Sequence, residues 1–252
     1  MELNLMSFLI VCPLVFLSGF VDAIGGGGGL IALPAYVFAG LPMYMALGTN
    51  KLSSSIGTLV STVRYCRHTK IDWKLILPAI VLSLAGSTCG SNLTLIVDES
   101  ILKNLLIVIL PVAAFFVFRK NVFIVDDAHP VSYKRKRIVS WIGAFIVGTY
   151  DGFYGPGTGT FMLIILIGFA RMCTMEAATA TKLINLTSNV GALVTFLLNG
   201  KIVWGLGLAA AVFSMAGHYA GSSLVLKNGE KIVRPIILCV LALLFIKIVW
   251  GQ

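Results

Sequence analysis

The sequence predicts an all-α, polytopic membrane protein: two inverted repeats of about five helical segments each, with glycine-broken short helices near the midplane. Three observations predict it: an apolar composition, charge-free runs long enough to cross a bilayer, and a motif series that occurs twice. Hydrophobic residues fill 58% of the 252 positions and charged residues 12%, where soluble domains carry about 25% charged residues. Mean hydropathy is +0.96. A soluble fold of this size cannot hide that much apolar surface, because much of any folded surface faces water. The composition excludes a soluble enzyme, a disordered chain and a nucleic-acid-binding module.

Each segment has its own warrant. A spanning helix needs roughly 20 mostly apolar residues. Segment 5–23 takes most of its length from a charge-free run from Leu3 to Val21. Only Glu2 precedes it, with no basic flank, so no cleaved leader is predicted. Segment 29–40 follows the glycine run Gly25 to Gly29 and is too short to span comfortably. Segment 46–66 carries polar positions on one face. Segment 75–96 falls in a charge-free run, and 101–118 closes the first half. A linker, 120–137, follows. Arg119, Lys120, Lys134, Arg135, Lys136 and Arg137 there outnumber Asp126 and Asp127, which places it in the cytoplasm. In the second half, 138–152 leads to another break, Gly155-Pro156-Gly157-Thr158-Gly159, and the short segment 158–170. Glycine and proline there end one helix and let another begin. Segments 176–199 and 203–226 follow, then 235–250. The chain divides into a first transmembrane repeat, 1–119, the linker, and a second repeat, 138–252.

The net charge of +9 reflects basic cytoplasmic loops rather than nucleic-acid binding. Cys12, Cys66, Cys89, Cys173 and Cys239 form no CxxC pair and no His/Cys cluster. They read as small apolar fillers in helices, and nothing calls for a metal or cofactor.

The duplication is the strongest signal. Gly19-Phe20-Val21-Asp22 matches Gly148-Thr149-Tyr150-Asp151. Lys51 matches Lys182, and Lys70-Ile71-Asp72-Trp73 matches Lys201-Ile202-Val203-Trp204. Gly86, Gly90 and Ser91 match Gly217, Gly221 and Ser222. Charge sets the relative orientation. Arg64, Arg67, Lys70 and Lys74 put the loop after 46–66 in the cytoplasm, and Asp98 and Glu99 put the next loop outside. Lys227, Lys231 and Arg234 belong in the cytoplasm only if each half crosses an odd number of times. That inverts the repeats, a recurrent design of secondary transporters.

Gly19-x-x-Asp22, the glycine run, Pro34 and Gly48-Thr49-Asn50-Lys51 resemble the first repeat of the TauE/SafE family of sulfite and organosulfonate permeases. Gly148, Asp151, Gly155, Gly157 and Ala180-Thr181-Lys182 resemble its second copy, although Pro156 interrupts the glycines. The resemblance covers nearly the whole chain. It implies a secondary transporter moving a small sulfur-containing anion, such as sulfite or a sulfonate, across the cytoplasmic membrane. It leaves the substrate, direction and coupling ion open.

Two constellations suit an anion. Helix N-termini present unpaired N–H groups and a partial positive charge. Gly28, Gly29, Gly157 and Gly159 sit where the short helices start and let an anion approach the backbone. The alternative is that these glycines serve tight turns and close helix packing. The second constellation is a polar stripe: Lys51, Ser54, Ser55, Thr58 and Thr62 share one helical face, and Lys182, Asn185 and Asn189 share another. Such donors suit a sulfonate or sulfite oxygen and line an aqueous path. The alternative is interhelical hydrogen bonding, with the lysines snorkelling to the interface. Asp22 and Asp151 serve proton coupling, pairing with Lys51 and Lys182, or capping of the glycine turns. His218 reads as a packed structural histidine. Tyr150 and Tyr154 donate to substrate or pack as aromatics.

The expected mechanism is alternating access, one repeat rocking against the other. A passive anion channel is the alternative. An intramembrane enzyme would need a nucleophile–base pair or metal ligands, and no HExxH or GxSxG motif occurs. The expected partners are a small anionic substrate and the lipid bilayer. Oligomeric state stays open, a homo-oligomer included.

Overall fold

The computed structural model describes residues 5–102 and 131–228. They form α1 (Leu5–Gly25), α2 (Gly29–Phe38), α3 (Met43–His68), α4 (Trp73–Ile96), α5 (Tyr133–Phe153), α6 (Thr158–Ile164), α7 (Thr174–Leu198) and α8 (Trp204–Asn228). A π-helical segment, Ile165–Phe169, extends α6. Helices α1, α4, α7 and α8 are long and apolar enough to cross a membrane. Helix α3, with 26 residues, is about 39 Å long at 1.5 Å per residue. Its polar stripe lowers its hydropathy. The expected segments 101–118 (beyond residue 102) and 235–250 lie outside the described residues.

Two expectations need correction. The helix placed at 138–152 begins at Tyr133, so Lys134, Arg135, Lys136 and Arg137 belong to its first turns rather than to a linker. Ser132 explains the earlier start: its hydroxyl accepts from the Arg135 amide at 3.3 Å, an N-cap that local charge does not reveal. Cys173 is not a helix filler but the exposed residue just before α7.

Helix directions follow from which residues meet. Gly217 and Gly221 of α8 pack on the backbone of Phe16 and Phe20 in α1, so these helices run parallel. Gly86 and Gly90 of α4 meet Phe145 and Thr149 of α5 in the same way. Thr49, Thr58 and Arg64 of α3 bond to Val203, His218 and Ser223 in or just before α8, again parallel. Ser83 and Ser87 of α4 bond to the carbonyls of Ile184 and Ser188 in α7. Across the centre, Lys51 meets Asn189 and Thr62 meets the Lys182 carbonyl, so α3 and α7 are antiparallel. Two parallel bundles result, α1–α3–α8 and α4–α5–α7, with α3 against α7 along their seam. Each bundle mixes the two halves of the sequence. A movement of one sequence repeat against the other would therefore shear the α1–α8 and α4–α5 contacts.

The glycines at these contacts leave room for backbone-to-backbone approach, as in membrane helix packing. Polar residues face inward: Ser83, Ser87, Ser140 and Ser222 are fully buried, while Val81, Ile142, Ile146 and Val212 are exposed. That distribution suits a lipid surround with a polar interior.

Charge gathers at one end. Arg64 lies beside Ser223 and over the Tyr219 ring at 4.1 Å. Tyr133 donates to Asp72, which also caps α4. Lys136 pairs with Glu176 at 2.6 Å. Arg67, Lys74, Arg137 and Lys227 belong to the same helix ends. At the opposite end the Met43 amide donates to Glu99, and Tyr44 donates to the Val97 carbonyl.

Candidate functional site

The two breaks meet at the centre. A Cβ on Gly26 would lie 2.4 Å from the Gly159 carbonyl carbon, and one on Gly159 would lie 2.7 Å from Gly26 Cα. A Cβ on Gly29 would lie 3.2 Å from Pro156 Cα. Gly26, Gly27, Gly155 and Gly157 hold φ between +76° and +97°, where a Cβ is strained. Packing and turn geometry thus account for much of this glycine content. The same contacts bring the starts of α2 and α6 to one small cavity.

That cavity has a free volume of about 20 Å³, room for about one water. Gly28, Gly29, Lys51, Ser54, Thr58, Gly157, Gly159, Asn185 and Asn189 line it, with Asp22 and Asp151. Lys182 does not reach its wall; it touches the site through Asp22.

Two ion pairs flank the cavity. Lys51 Nζ lies 2.7 Å from Asp151 Oδ2, with side chains 2% and 3% exposed. Lys182 Nζ lies 2.8 Å from Asp22 Oδ2. Lys182 also donates to the Asp22 carbonyl. Both pairs cross the seam between the bundles and join the two repeats with exchanged partners. The lysines therefore do not snorkel: pairing satisfies them inside the bundle.

The other bonds hold the acids in place. Lys51 donates to Asn189 Oδ1 at 3.0 Å. Thr158 donates to Asp151 Oδ1 at 2.7 Å. The Gly28 amide donates to Asp22 Oδ1 at 3.3 Å. Asp22 thus both pairs with lysine and caps a glycine turn. Asp151 Oδ2 has the Lys51 ammonium as its partner and no hydrogen bond of good angle besides. Within the stripe, Ser54 bonds to Asn50. Ser55 and Thr62 turn to the backbone carbonyls of Lys51 and Lys182 instead.

Sequence reasoning missed Ser18, Asn50, Thr158 and His218 in the wall. Thr158 had a signal, since a threonine inside a glycine break is a natural cap. Asn50 stands beside Lys51 in the motif. His218 is not merely packed: its Nε2 lies 3.2 Å from Asp22 Oδ2. Tyr150 donates to the Pro156 carbonyl at 2.5 Å and stacks edge-on against Phe161. Neither Tyr150 nor Tyr154 lines the cavity.

Comparison with known proteins gives the family. The family model described as "Sulfite exporter TauE/SafE" matches residues 11–248. The chain is 34% identical to "Probable membrane transporter protein ORF9" of Sinorhizobium sp, over 97% of this chain and 92% of that protein. It is 31% identical to a "Probable membrane transporter protein" of Haemophilus influenzae, over 100% and 98% of the two. It is 33% identical to "Probable membrane transporter protein YfcA" of Escherichia coli K12, over 98% and 94%. No solved structure matches. With a family match running through both breaks and both buried ion pairs, the chain belongs to the TauE/SafE family of multi-pass membrane transporters.

Proposed function

We propose that this transporter carries a small sulfur-containing anion, a sulfite or sulfonate, by alternating access through the central cavity, which widens beyond its one-water size as the seam opens. The observation that carries the reading is the seam itself. Two Lys–Asp pairs cross it on either side of a polar cavity at which two helix starts converge. Ser54, Thr58, Asn185 and Asn189 supply neutral donors for an oxyanion, and the starts of α2 and α6 add the partial positive charge of helix N-termini. The sulfur identity comes from the family name alone.

Inverted repeats, 1–119 and 138–252, are part of the proposal. Support comes from α3 and α7, which carry corresponding motifs and run antiparallel. The clustering of basic side chains at one end supports a cytoplasmic face there. We place the movement between the bundles α1–α3–α8 and α4–α5–α7, hinged at the Gly26–Gly159 contact. Rocking there strains two ion pairs and one helix crossing, and leaves the small-residue contacts within each bundle intact.

Counterflow tests the reading. Proteoliposomes loaded with unlabelled sulfite or isethionate should transiently accumulate the labelled anion above equilibrium. Flux without that overshoot identifies a passive channel, and no flux for sulfur anions removes the substrate assignment.

A further inference from the structure

His218 is the group whose chemistry the site has not yet used. It stands in a prepared niche. Gly19 of α1 and Gly57 of α3 face it, and a Cβ on either would lie 2.7 or 2.6 Å from Nδ1. The ring is 2% exposed. The charged groups around it are Asp22 on α1 and Lys182 on α7, with the Lys51–Asp151 pair farther round the cavity. On α3 it meets Thr58, and on its own helix Ser214.

The shortest contact of each ring nitrogen is to an oxygen that only accepts. Nδ1 lies 2.9 Å from the Ser214 carbonyl oxygen. Nε2 lies 3.2 Å from Asp22 Oδ2. A neutral imidazole has one N–H and one lone pair, so it leaves one of these contacts lone pair to lone pair. The Thr58 hydroxyl at Nε2 and the Ser214 hydroxyl at Nδ1, each 3.4 Å away, rotate freely, but neither takes the acceptor oxygen out of its shorter contact. A proton between Nε2 and Oδ2 removes the conflict. Lys182 and the Gly28 amide both donate to Asp22, which favours the carboxylate and leaves the proton on the ring.

Charge then decides the consequence. Lys51 and Lys182 cancel Asp151 and Asp22, so the paired site is neutral without the histidine. We propose that His218 carries the coupled proton: protonated, it gives the cavity the single positive charge that admits one anion, and the anion's departure makes that proton easier to lose. This rests on the anion-transport reading. Proton and anion stabilise one another, and the linkage is reciprocal. Imidazole suits the task because its ordinary titration falls between pH 5 and 8.

Two measurements test it on the full chain in nanodiscs. The first needs no ligand: nitrogen-15 histidine NMR with His68→Gln and His129→Gln, so that His218 alone reports. Both ring nitrogens should carry hydrogen at about pH 6 and one should lose it as pH rises; Asp22→Asn should weaken the protonated form. A neutral single tautomer at about pH 6 overturns the proposal. The second is calorimetric titration with isethionate, a sulfonate whose charge does not change in this range, in two buffers of different ionisation enthalpy. At about pH 8 we expect roughly one proton taken up per anion, and affinity about tenfold or more below that at about pH 6. His218→Gln should bind weakly at both, without proton uptake. Binding without proton uptake, or unaltered pH dependence in His218→Gln, overturns the proposal. Absent isethionate binding beside a protonated His218 sinks the sulfonate reading and leaves the charge assignment standing.

Discussion

Asp151→Asn isolates the energetics of the buried pairs. The substitution keeps the shape of the side chain and removes its charge. At 2.7 Å, an effective dielectric constant of about 20 gives roughly 6 kcal/mol of attraction to Lys51. Asn189 remains as an acceptor at 3.0 Å, and local relaxation returns part of the rest. The expected loss is about 3–5 kcal/mol, as for removal of one partner from a buried pair. For a chain of this size that is roughly 6–20 °C in the unfolding midpoint. The assay is tryptophan-monitored melting in detergent at one fixed scan rate. Replacing the whole pair, Lys51→Met with Asp151→Leu, should recover most of the lost stability because no charge is left unpaired. Transport should not recover. If Asp151→Asn melts with the wild type, and its effect simply adds to that of Lys51→Gln, the two residues are not paired and the seam argument fails.

Three further outcomes follow from the same geometry. In a background without native cysteines, an impermeant thiol reagent on intact cells should label a cysteine at position 98 and spare cysteines at 66 and 228; outside labelling at 228 refutes the inverted arrangement. Gly159→Ala places a Cβ 2.7 Å from Gly26 Cα and should lower the yield of folded protein sharply. Gly40→Ala meets nothing within 4 Å at φ +86° and should cost only about 1–2 kcal/mol; equal losses in both would show that the breaks do not touch. Ser54→Ala and Asn185→Ala should each weaken isethionate binding by about 1–3 kcal/mol if they donate to a charged oxygen, with melting shifted little; the opposite pattern in calorimetry and melting assigns them to packing.

The helices were legible because length and hydropathy decide what crosses a bilayer. The central residues were legible because the chain presents them twice. Lys51 and Lys182, or Asp22 and Asp151, stand out as charges at matched places in apolar segments. Their partners were harder to read. Pairing with Lys51 and Lys182 was one of three roles open to Asp22 and Asp151; capping or pairing ranks ahead of proton transfer, but the sequence does not separate those two. The structure places both pairs in contact, and Asp22 also accepts from the Gly28 amide. The glycines carried a different ambiguity: close packing and anion approach both require the missing Cβ, and position in sequence cannot separate them. Their mutual contact settles the packing half.

His218 read as a structural histidine for the reason that makes it informative. Comparing the repeats highlights what they share, and the residue at its matched position is Ser87, which bonds to the Ser188 carbonyl. Duplication supplies each bundle with one lysine and one aspartate at the seam, a set that balances to zero charge. A site built only from matched pairs has no reason to distinguish an occupied cavity from an empty one electrostatically. One added ionisable group, placed on one side alone, breaks that balance by a single unit. Its contact with Asp22 ties the imbalance to the Lys182 pair and not to the Lys51 pair. If the bundles rock, the two ion pairs are then strained under different charge conditions, so the two directions of rocking are not energetically equivalent. If the repeats are inverted, the carrier has two similar faces, and the unmatched histidine gives the proton one place to act on only one of them.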